Sequence, residues 1–421
     1  MIAIDRRHVM QLGAAMAAVA TGPAAAAEAV VDTGSVKDGK VSFPAWTADT
    51  ERPSGGPPNP TPMSDRVGIA VVGLGRLSLE QILPAFAMSK RARLAGLVSG
   101  TPEKAGLVAA QYGISAEAIY GYDDWDAIAR NPAIEAVYIV LPNALHKPAT
   151  LRAAAAGKHV LCEKPMATSA ADCQAMIDAC DRARRTLMIA YRCQYEPHNR
   201  AVQALVRSGS FGAAGLMSAV NVQNMAAPSQ WRFNKALAGG GALPDIGLYC
   251  LNGARSLVGE EPLEVMGRSF SPAGDDRFRE IEATIAFMLR FPSGFIANCS
   301  ASYGLHEHRG FSLHLPGAAI DLQNAFAYEG QRLFVAHRSS AAEAIEERRL
   351  GARNQFALEL DHMADCVRSG RRPRTPGQEG LQDQWLMEAI YRSAATGQPV
   401  SLPTIAGLDT TRGPALSDDQ G

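Results

Sequence analysis

The sequence predicts a chain that is α/β followed by α+β: an N-terminal parallel sheet, then a C-terminal open, mainly antiparallel sheet domain. Three observations carry this prediction. From Val67 to Ala190 short apolar runs alternate with stretches of helical period, and continuous apolar strands joined by helices make a parallel sheet covered on both faces. The first of these runs ends in Gly73-Leu74-Gly75, a tight turn that opens a helix. Beyond Tyr191 strand candidates follow one another with only turn residues between them, as in Phe291-Pro292-Ser293-Gly294, the mark of antiparallel pairing.

In order, strands are expected at Val67 to Val72, Ala92 to Val98, Ala136 to Leu141, His159 to Cys162 and Leu187 to Ala190. Helices are expected at Leu79 to Ala87, Pro102 to Tyr112, His146 to Ala156 and Ala170 to Arg184. A helix from Pro197 to Arg207 then leads into strands at Met217 to Gln223, Glu264 to Phe270, Ala283 to Phe291, Phe295 to Ser302, Ser312 to Leu315 and Leu333 to Ala336. Two last helices, Gln355 to Arg368 and Gly377 to Ala395, are expected to return to the first sheet. The predicted units are therefore 65–190 and 191–350 with helices at 351–402 and a tail at 403–421.

Ahead of them, residues 1–27 read as an export signal of the twin-arginine type, with Arg6-Arg7, an apolar run from Val9 to Ala20, and Ala25-Ala26-Ala27 before Glu28. An ordinary leader is the alternative. The twin-arginine reading predicts passage through that export machinery and a periplasmic, bacterial location. Residues 28–64, with Pro44, Pro53, Pro57, Pro58, Pro60 and Pro62, read as a linker or an extended arm. No other stretch has the length and apolarity of a membrane-spanning helix, so no membrane is expected as a partner. A net charge of −1 leaves no electrostatic footprint for nucleic acid. The seven cysteines lack CxxC spacing and read as small buried hydrophobes.

Gly73-Leu74-Gly75-Arg76-Leu77-Ser78 carries the first chemistry. The first glycine permits the turn, the second lets backbone approach a pyrophosphate at a helix N-terminus, and Ser78 is small enough for helix to pack on strand, which makes this a Rossmann-type dinucleotide site. Where a carboxylate would take a ribose hydroxyl, Ser99 ends the second strand and Lys104 follows. A hydroxyl and an ammonium suit a 2′-phosphate, so the expected cofactor is NADP, with Arg76 assisting at that phosphate or the pyrophosphate.

Glu163-Lys164-Pro165 follows a parallel strand, where ligands bind in open α/β sheets. Taken alone it reads equally as a surface pair. Asp245 and Tyr249, at i and i+4 on a helix entered through Gly239-Gly240-Gly241, supply a second half. A Lys164 cation near Tyr249 is expected to favour the phenolate and make it an acid/base at neutral pH. His306 and His308 flank Glu307 without a third ligand, so no metal is expected.

Together with Gln81-Ile82-Leu83-Pro84, Leu97 to Gly100, Ala136 to Asn143 with His146, Gly157 to Thr168, Tyr191-Arg192-Cys193, Gln230-Trp231-Arg232, Gly239 to Asn252 and Asn354-Gln355-Phe356, these residues make the chain, from about Val67 to about Leu402, similar to the glucose-fructose oxidoreductase and inositol dehydrogenase superfamily. Tyr249, where many relatives carry histidine, points to its glucose-fructose branch. The resemblance implies tightly held NADP contacted by Pro142, Asn143, His146, Glu163, Lys164 and Arg192, with Trp231 and Arg232 closing over it. It implies a Lys164 and Tyr249 catalytic pair, with Lys164, Tyr191, Asp245 and Tyr249 binding sugar, and an open sheet that forms the interface of a homo-oligomer, dimer or tetramer. The expected activity is oxidation of an aldose at C1 to the lactone and reduction of a second sugar, fructose or an aldose, to an alditol. A sugar dehydrogenase with exchangeable cofactor and a nicotinamide-dependent glycosidase are the alternatives. Three departures, one of them an altered proline-rich arm, bear on the second sugar and the oligomer. Gln194 stands where that branch has histidine, and Gly304 to His308 replaces a hydroxyl-rich run.

Overall fold

The computed structural model describes residues 35–37, 40–42, 62–225, 229–340, 342–351 and 353–416. The predicted leader, most of the proline-rich segment and the last residues of the tail lie outside the described residues. Within the proline-rich segment, β1 (Ser35–Lys37) pairs antiparallel with β2 (Lys40–Ser42). The sequence between them is Asp38-Gly39, a dipeptide favoured in two-residue hairpins, and this signal the periodicity argument passed over.

The first large sheet contains β3 (Val67–Val72), β4 (Ala92–Val98), β5 (Ile119–Tyr120), β6 (Ala136–Ile139), β7 (His159–Glu163) and β8 (Leu187–Ala190), all parallel in the order β5-β4-β3-β6-β7-β8. Every residue of β3, β6 and β8 is buried, because alternate side chains serve opposite faces. Ile69, Val71 and Leu97 join one apolar cluster, while Ala70, Val72 and Val98 join another. Connecting helices α1 (Leu83–Met88), α2 (Pro102–Tyr112), α3 (Trp125–Arg130), α4 (His146–Ala155) and α5 (Ala170–Arg182) cover the faces. Their ends follow local rules: Ser169 caps α5 through the Asp172 N–H, and Gly113 ends α2 at φ 67°.

After α6 (Pro197–Arg207), capped by the Glu196 carboxylate at 3.0 Å and 2.8 Å from the next two free N–H groups, the second sheet begins. Its members are β9 (Leu216–Asn224), β10 (Glu264–Phe270), β11 (Thr284–Arg290), β12 (Ile296–Ser302), β13 (Gly304–Leu315), β14 (Ala318–Gln323), β15 (Arg332–Ser339), β16 (Ala342–Arg348) and β17 (Val400–Ser401). The order is β16-β15-β14-β13-β9-β12-β11-β10-β17, antiparallel except between β9 and β12. Burial alternates along β11, so one face meets helices and the other does not. Helices α7 (Lys235–Ala238), α8 (Leu248–Val258), α9 (Gln355–Ser369) and α10 (Gly377–Thr396) complete the chain. α9 packs on the first sheet, where Asp361 accepts from Ser89 Oγ and the N–H groups of Lys90 and Arg91, and α10 bridges β8 and β10.

The fold class is the predicted one. β5, α3, α7, β14, β16 and β17 were not expected from the sequence, and β13 starts well before Ser312 with a register shift between Gly304 and His308. Leu305, His306 and His308 are exposed on that strand, and Glu307 pairs with Arg309 at 3.1 Å. Six cysteines are buried and Cys193 is half-buried. No helix among the described residues is long and apolar enough to cross a membrane.

Within residues 403–416, Arg412 and Gly413 are buried against the rest of the protein. Arg412 is fully buried and donates from Nε to Glu379 at 2.9 Å. Glu379 also meets Arg255, which bonds Glu261 at 2.7 Å and pairs with Asp383. Removing one partner from a buried charge cluster leaves the other uncompensated. Arg412→Met is therefore expected to lower the unfolding free energy by about 3 kcal/mol, read as a lower urea midpoint with an unchanged slope.

Candidate functional site

Two glycines shape one end of the site. Gly73 has φ +99°, and a Cβ there would lie 2.3 Å from the Val140 carbonyl oxygen. A side chain is excluded at that turn on both counts. A Cβ at Gly75 would meet nothing within 4 Å. What that glycine leaves clear is a cavity of about 770 Å³, lined here by Gly73, Leu74, Gly75, Arg76 and Leu77. Ser78 Oγ donates to the Gly73 carbonyl at 2.6 Å and ties the loop to the start of the following helix. Open space over a glycine at a helix start, with Lys104 on the same wall, fits a dinucleotide. Arg76 is paired with Glu80 at 2.9 Å and largely exposed.

The other end is built from both sheets. Lys164, after β7 and joined to Pro165 by a cis bond, sends Nζ to the backbone oxygen of Asp245 at 2.7 Å and to its Oδ1 at 2.9 Å. Asp245 Oδ2 accepts from Arg232 Nε at 2.9 Å and from the Tyr303 hydroxyl at 2.7 Å. Asp245 lies in a single π-turn, Leu243–Gly247, that runs straight into α8, where Tyr249 occupies the first turn. Lys164 Nζ sits 4.7 Å from the centre of the Tyr249 ring, and the Arg192 guanidinium 4.6 Å from it. Arg192 Nε also donates to the Tyr249 oxygen at 3.2 Å.

Burial raises the cost of charge throughout this cluster, and the neighbours decide each outcome. At Asp245 burial favours the acid, but the Lys164 and Arg232 cations and the Tyr303 hydrogen bond overcome it and hold the carboxyl well below its ordinary range. Lys164 is held above its ordinary value because Asp245 outweighs its burial. Tyr249 behaves otherwise, and the sequence expectation is corrected here. Burial pushes its phenol up to about 12, and the opposing cations of Arg192 and Lys164 do not reverse the shift. At neutral pH Tyr249 is a phenol with a cation on its face, not a phenolate.

Of the residues predicted for the site, Pro142, Asn143, Glu163, Arg192, Trp231 and Arg232 line the same cavity as Lys164, Asp245 and Tyr249. Asn143 Nδ2 donates to the Ala238 carbonyl, and the Arg232 guanidinium lies 4.6 Å from the Trp231 ring. Ser99, His146 and Tyr191 do not line it. Ser99 is buried, with its hydroxyl accepting from the Thr101 N–H. His146 is fully buried between the carbonyls of Pro165 and Leu141, at 2.9 Å and 2.8 Å, and so ties two cavity loops together from behind. Burial lowers its pKa, so one ring nitrogen donates and the other contact is unsupported by a proton. Tyr191 is buried with its hydroxyl on Asp383 of α10, and lines a smaller adjoining cavity together with Gln194, Lys164 and Tyr249.

Sequence reasoning missed Tyr303, Asn221, Gln223, Arg309 and Tyr328. Tyr303 follows β12 and holds Asp245. Asn221 bonds the Ile246 carbonyl at 2.9 Å, and Gln223 accepts from Arg309 at 3.0 Å, both within the cavity wall. Polar residues inside an apolar strand, as in Val220-Asn221-Val222-Gln223, were the available signal. Tyr328 stacks on Arg192 at 4.6 Å.

Residues 67–191 match the model of an oxidoreductase family with an NAD-binding Rossmann fold, and residues 199–320 match the GFO/IDH/MocA C-terminal domain. The chain is similar to a crystal structure of aldose-aldose oxidoreductase from Caulobacter crescentus complexed with glycerol, with 43% identity and a TM-score of 0.77 over 80% of this chain and 100% of that one. It is 32% identical over 348 residues to a D-xylose 1-dehydrogenase [NADP(+)] of Haloarcula marismortui, covering 81% of this chain and 95% of that protein. It is 29% identical over 353 residues to a levoglucosan dehydrogenase of Pseudarthrobacter phenanthrenivorans, covering 74% of this chain and 90% of the relative. A glycine loop beneath one end of the cavity, a lysine held by an aspartate at the other, and matches that span both sheets place the chain in the GFO/IDH/MocA family of oxidoreductases, with a nicotinamide-nucleotide-binding Rossmann domain.

Proposed function

We propose that the protein is an exported sugar oxidoreductase that retains NADP and passes a hydride from one aldose to a second sugar. The observation that carries this reading is the placement of Lys164, held by Asp245, against the face of Tyr249 in the cavity that also contains the glycine loop. NADP is favoured by Lys104 on the cavity wall and by the absence of a carboxylate at position 99. The likeness to an aldose-aldose oxidoreductase supports an aldose as the second sugar, as does Gln194 in place of histidine. Arg6-Arg7 supports export to a bacterial periplasm, where a retained cofactor removes any need for a free pool. A homo-oligomer formed through the uncovered sheet face belongs to the same reading.

A bound nicotinamide supplies the hydride acceptor for the first sugar and the hydride donor for the second. The residues do the rest. Lys164, fixed by Asp245, donates to the sugar oxygen at the reacting carbon and favours its anionic form. Tyr249 takes the C1 hydroxyl proton as the lactone forms, and returns a proton to the alkoxide of the second sugar as the alditol forms. As a phenol it is ready for the second task. For the first it must already have lost its proton, and the Lys164 and Arg192 cations on its ring lower that cost.

Three outcomes are expected. Protein denatured after purification releases NADP, and native protein given two aldoses without added nucleotide yields lactone and alditol in equal amounts. A requirement for added NADP would select a dehydrogenase with exchanging cofactor, and release of free sugar from an aryl glycoside without net oxidation would select a glycosidase. Stopped-flow reduction of the bound cofactor by aldose rises about tenfold per unit between about pH 6 and 9, while its reoxidation stays flat; Tyr249→Phe slows both by about 10²–10⁴ and leaves NADP bound. Gly75→Val fills only cavity space, so it weakens nucleotide binding by about tenfold or more while moving stability by less than about 0.5 kcal/mol.

A further inference from the structure

Behind the cavity wall three oxygens meet that the chemistry above leaves unused. Tyr138 of β6 is fully buried, and its hydroxyl lies 2.7 Å from Oε1 of Glu163 and 3.3 Å from Oε2 of Glu359 on α9. Glu359 is 0% exposed, and its Oε1 has no hydrogen-bond partner among the described residues. Glu163 has a second donor, the Lys164 N–H at 3.2 Å, and lines the cavity beside that lysine.

Two hydrogen bonds converge on one phenolic oxygen, and each needs its own proton. Tyr138 supplies one. Were both carboxyls ionised, the contact to Glu359 would set lone pair against lone pair, and a fully buried charge would keep one oxygen bare. The second proton therefore belongs to a carboxyl. Glu163 has the Lys164 and Arg192 cations nearby to sustain its charge. Glu359 faces Tyr138 and Glu163 from the sheet and Arg192, Cys193 and Tyr195 from the turn after β8, of which Arg192 alone is cationic. That guanidinium is already committed to Tyr249, to Gln355 Oε1 at 2.7 Å, and to the carbonyls of Phe326 and Ala327.

We propose that Glu359 is held as a neutral carboxylic acid donating to the Tyr138 oxygen, while Tyr138 donates to an ionised Glu163, so that this wall of the cavity presents one fixed negative charge. Burial, then the Glu163 charge, push the Glu359 carboxyl well above its ordinary range, with Arg192 opposing. Glu163 is raised by burial too, but there Lys164 and Arg192 both oppose it. Glu359 is then a positioning residue, acting through Tyr138 on a carboxylate beside the catalytic lysine. Its consequence for the ligand rests on the nicotinamide reading above: the oxidised ring is a cation and the reduced ring is neutral, so the Glu163 charge favours the oxidised form.

Infrared spectra of the purified full-length protein in H₂O and D₂O test the proton directly. A protonated-carboxyl C=O band persisting to about pH 8 is expected in the wild type, lost in Glu359→Gln and kept in Glu163→Gln. Absence of such a band in the wild type, or its survival in Glu359→Gln, overturns the proposal. Redox titration of the bound nucleotide tests the consequence. Glu163→Gln is expected to shift the oxidised-to-reduced ratio toward the reduced form by about tenfold, and Glu359→Gln, which keeps a neutral donor, by less than about twofold. A shift in Glu359→Gln as large as that in Glu163→Gln would place the charge on Glu359 and refute the assignment. If no protein carries nucleotide, the functional reading fails, while the infrared result still decides the protonation.

Discussion

The ion pair between Lys164 and Asp245 is the constraint on which the site depends. One partner ends a strand of the parallel sheet and the other opens the helix that packs on the second sheet. Their side chains are 9% and 16% exposed, so both have left most of their water behind. Two charges so placed persist only with good geometry and further hydrogen bonds, which the Asp245 backbone oxygen, Arg232 and Tyr303 provide. The pair fixes where the sheets face one another, and with that the direction of the Tyr249 ring.

The surrounding charges follow from that placement. Asp245 uses both oxygens on protein partners, so its role is to orient Lys164 and Arg232 more than to offer itself to a ligand. Arg192 is buried against Tyr249, Tyr328 and Phe356 and acts as a spacer between α9 and the tyrosine as much as a charge. Lys164 therefore remains the cation whose surroundings leave it facing both the aspartate and the Tyr249 ring.

Local signals made the first sheet readable in the sequence. β3, β6 and β8 are buried on both faces, so each reads as an apolar run, and the glycine loop is a backbone requirement that shows in the residues themselves. Lys164, Asp245 and Tyr249 were visible as short motifs, although only packing brings them together. Less was visible where meaning depends on a distant partner. β5 and β17 are two residues each, below the length at which a period exists. Tyr303, Asn221 and Arg309 matter because strands far apart in sequence lie side by side. His146 sits in a suggestive motif yet lies behind the cavity wall, and the phenol of Tyr249 stays protonated because burial, which no motif reports, outweighs two cations.

The buried side chain of Arg412 has a consequence for the life of the chain. Arg412 adds a second cation to a Glu379 carboxylate that Arg255 already pairs, in a cluster of three buried acids. Without Arg412, the carboxylates of Glu261, Glu379 and Asp383 share the Arg255 guanidinium as the cation of the cluster, so the packing of α8 on α10 is penalised. A product cut before residue 412 would therefore present itself to proteases in place of a finished cavity.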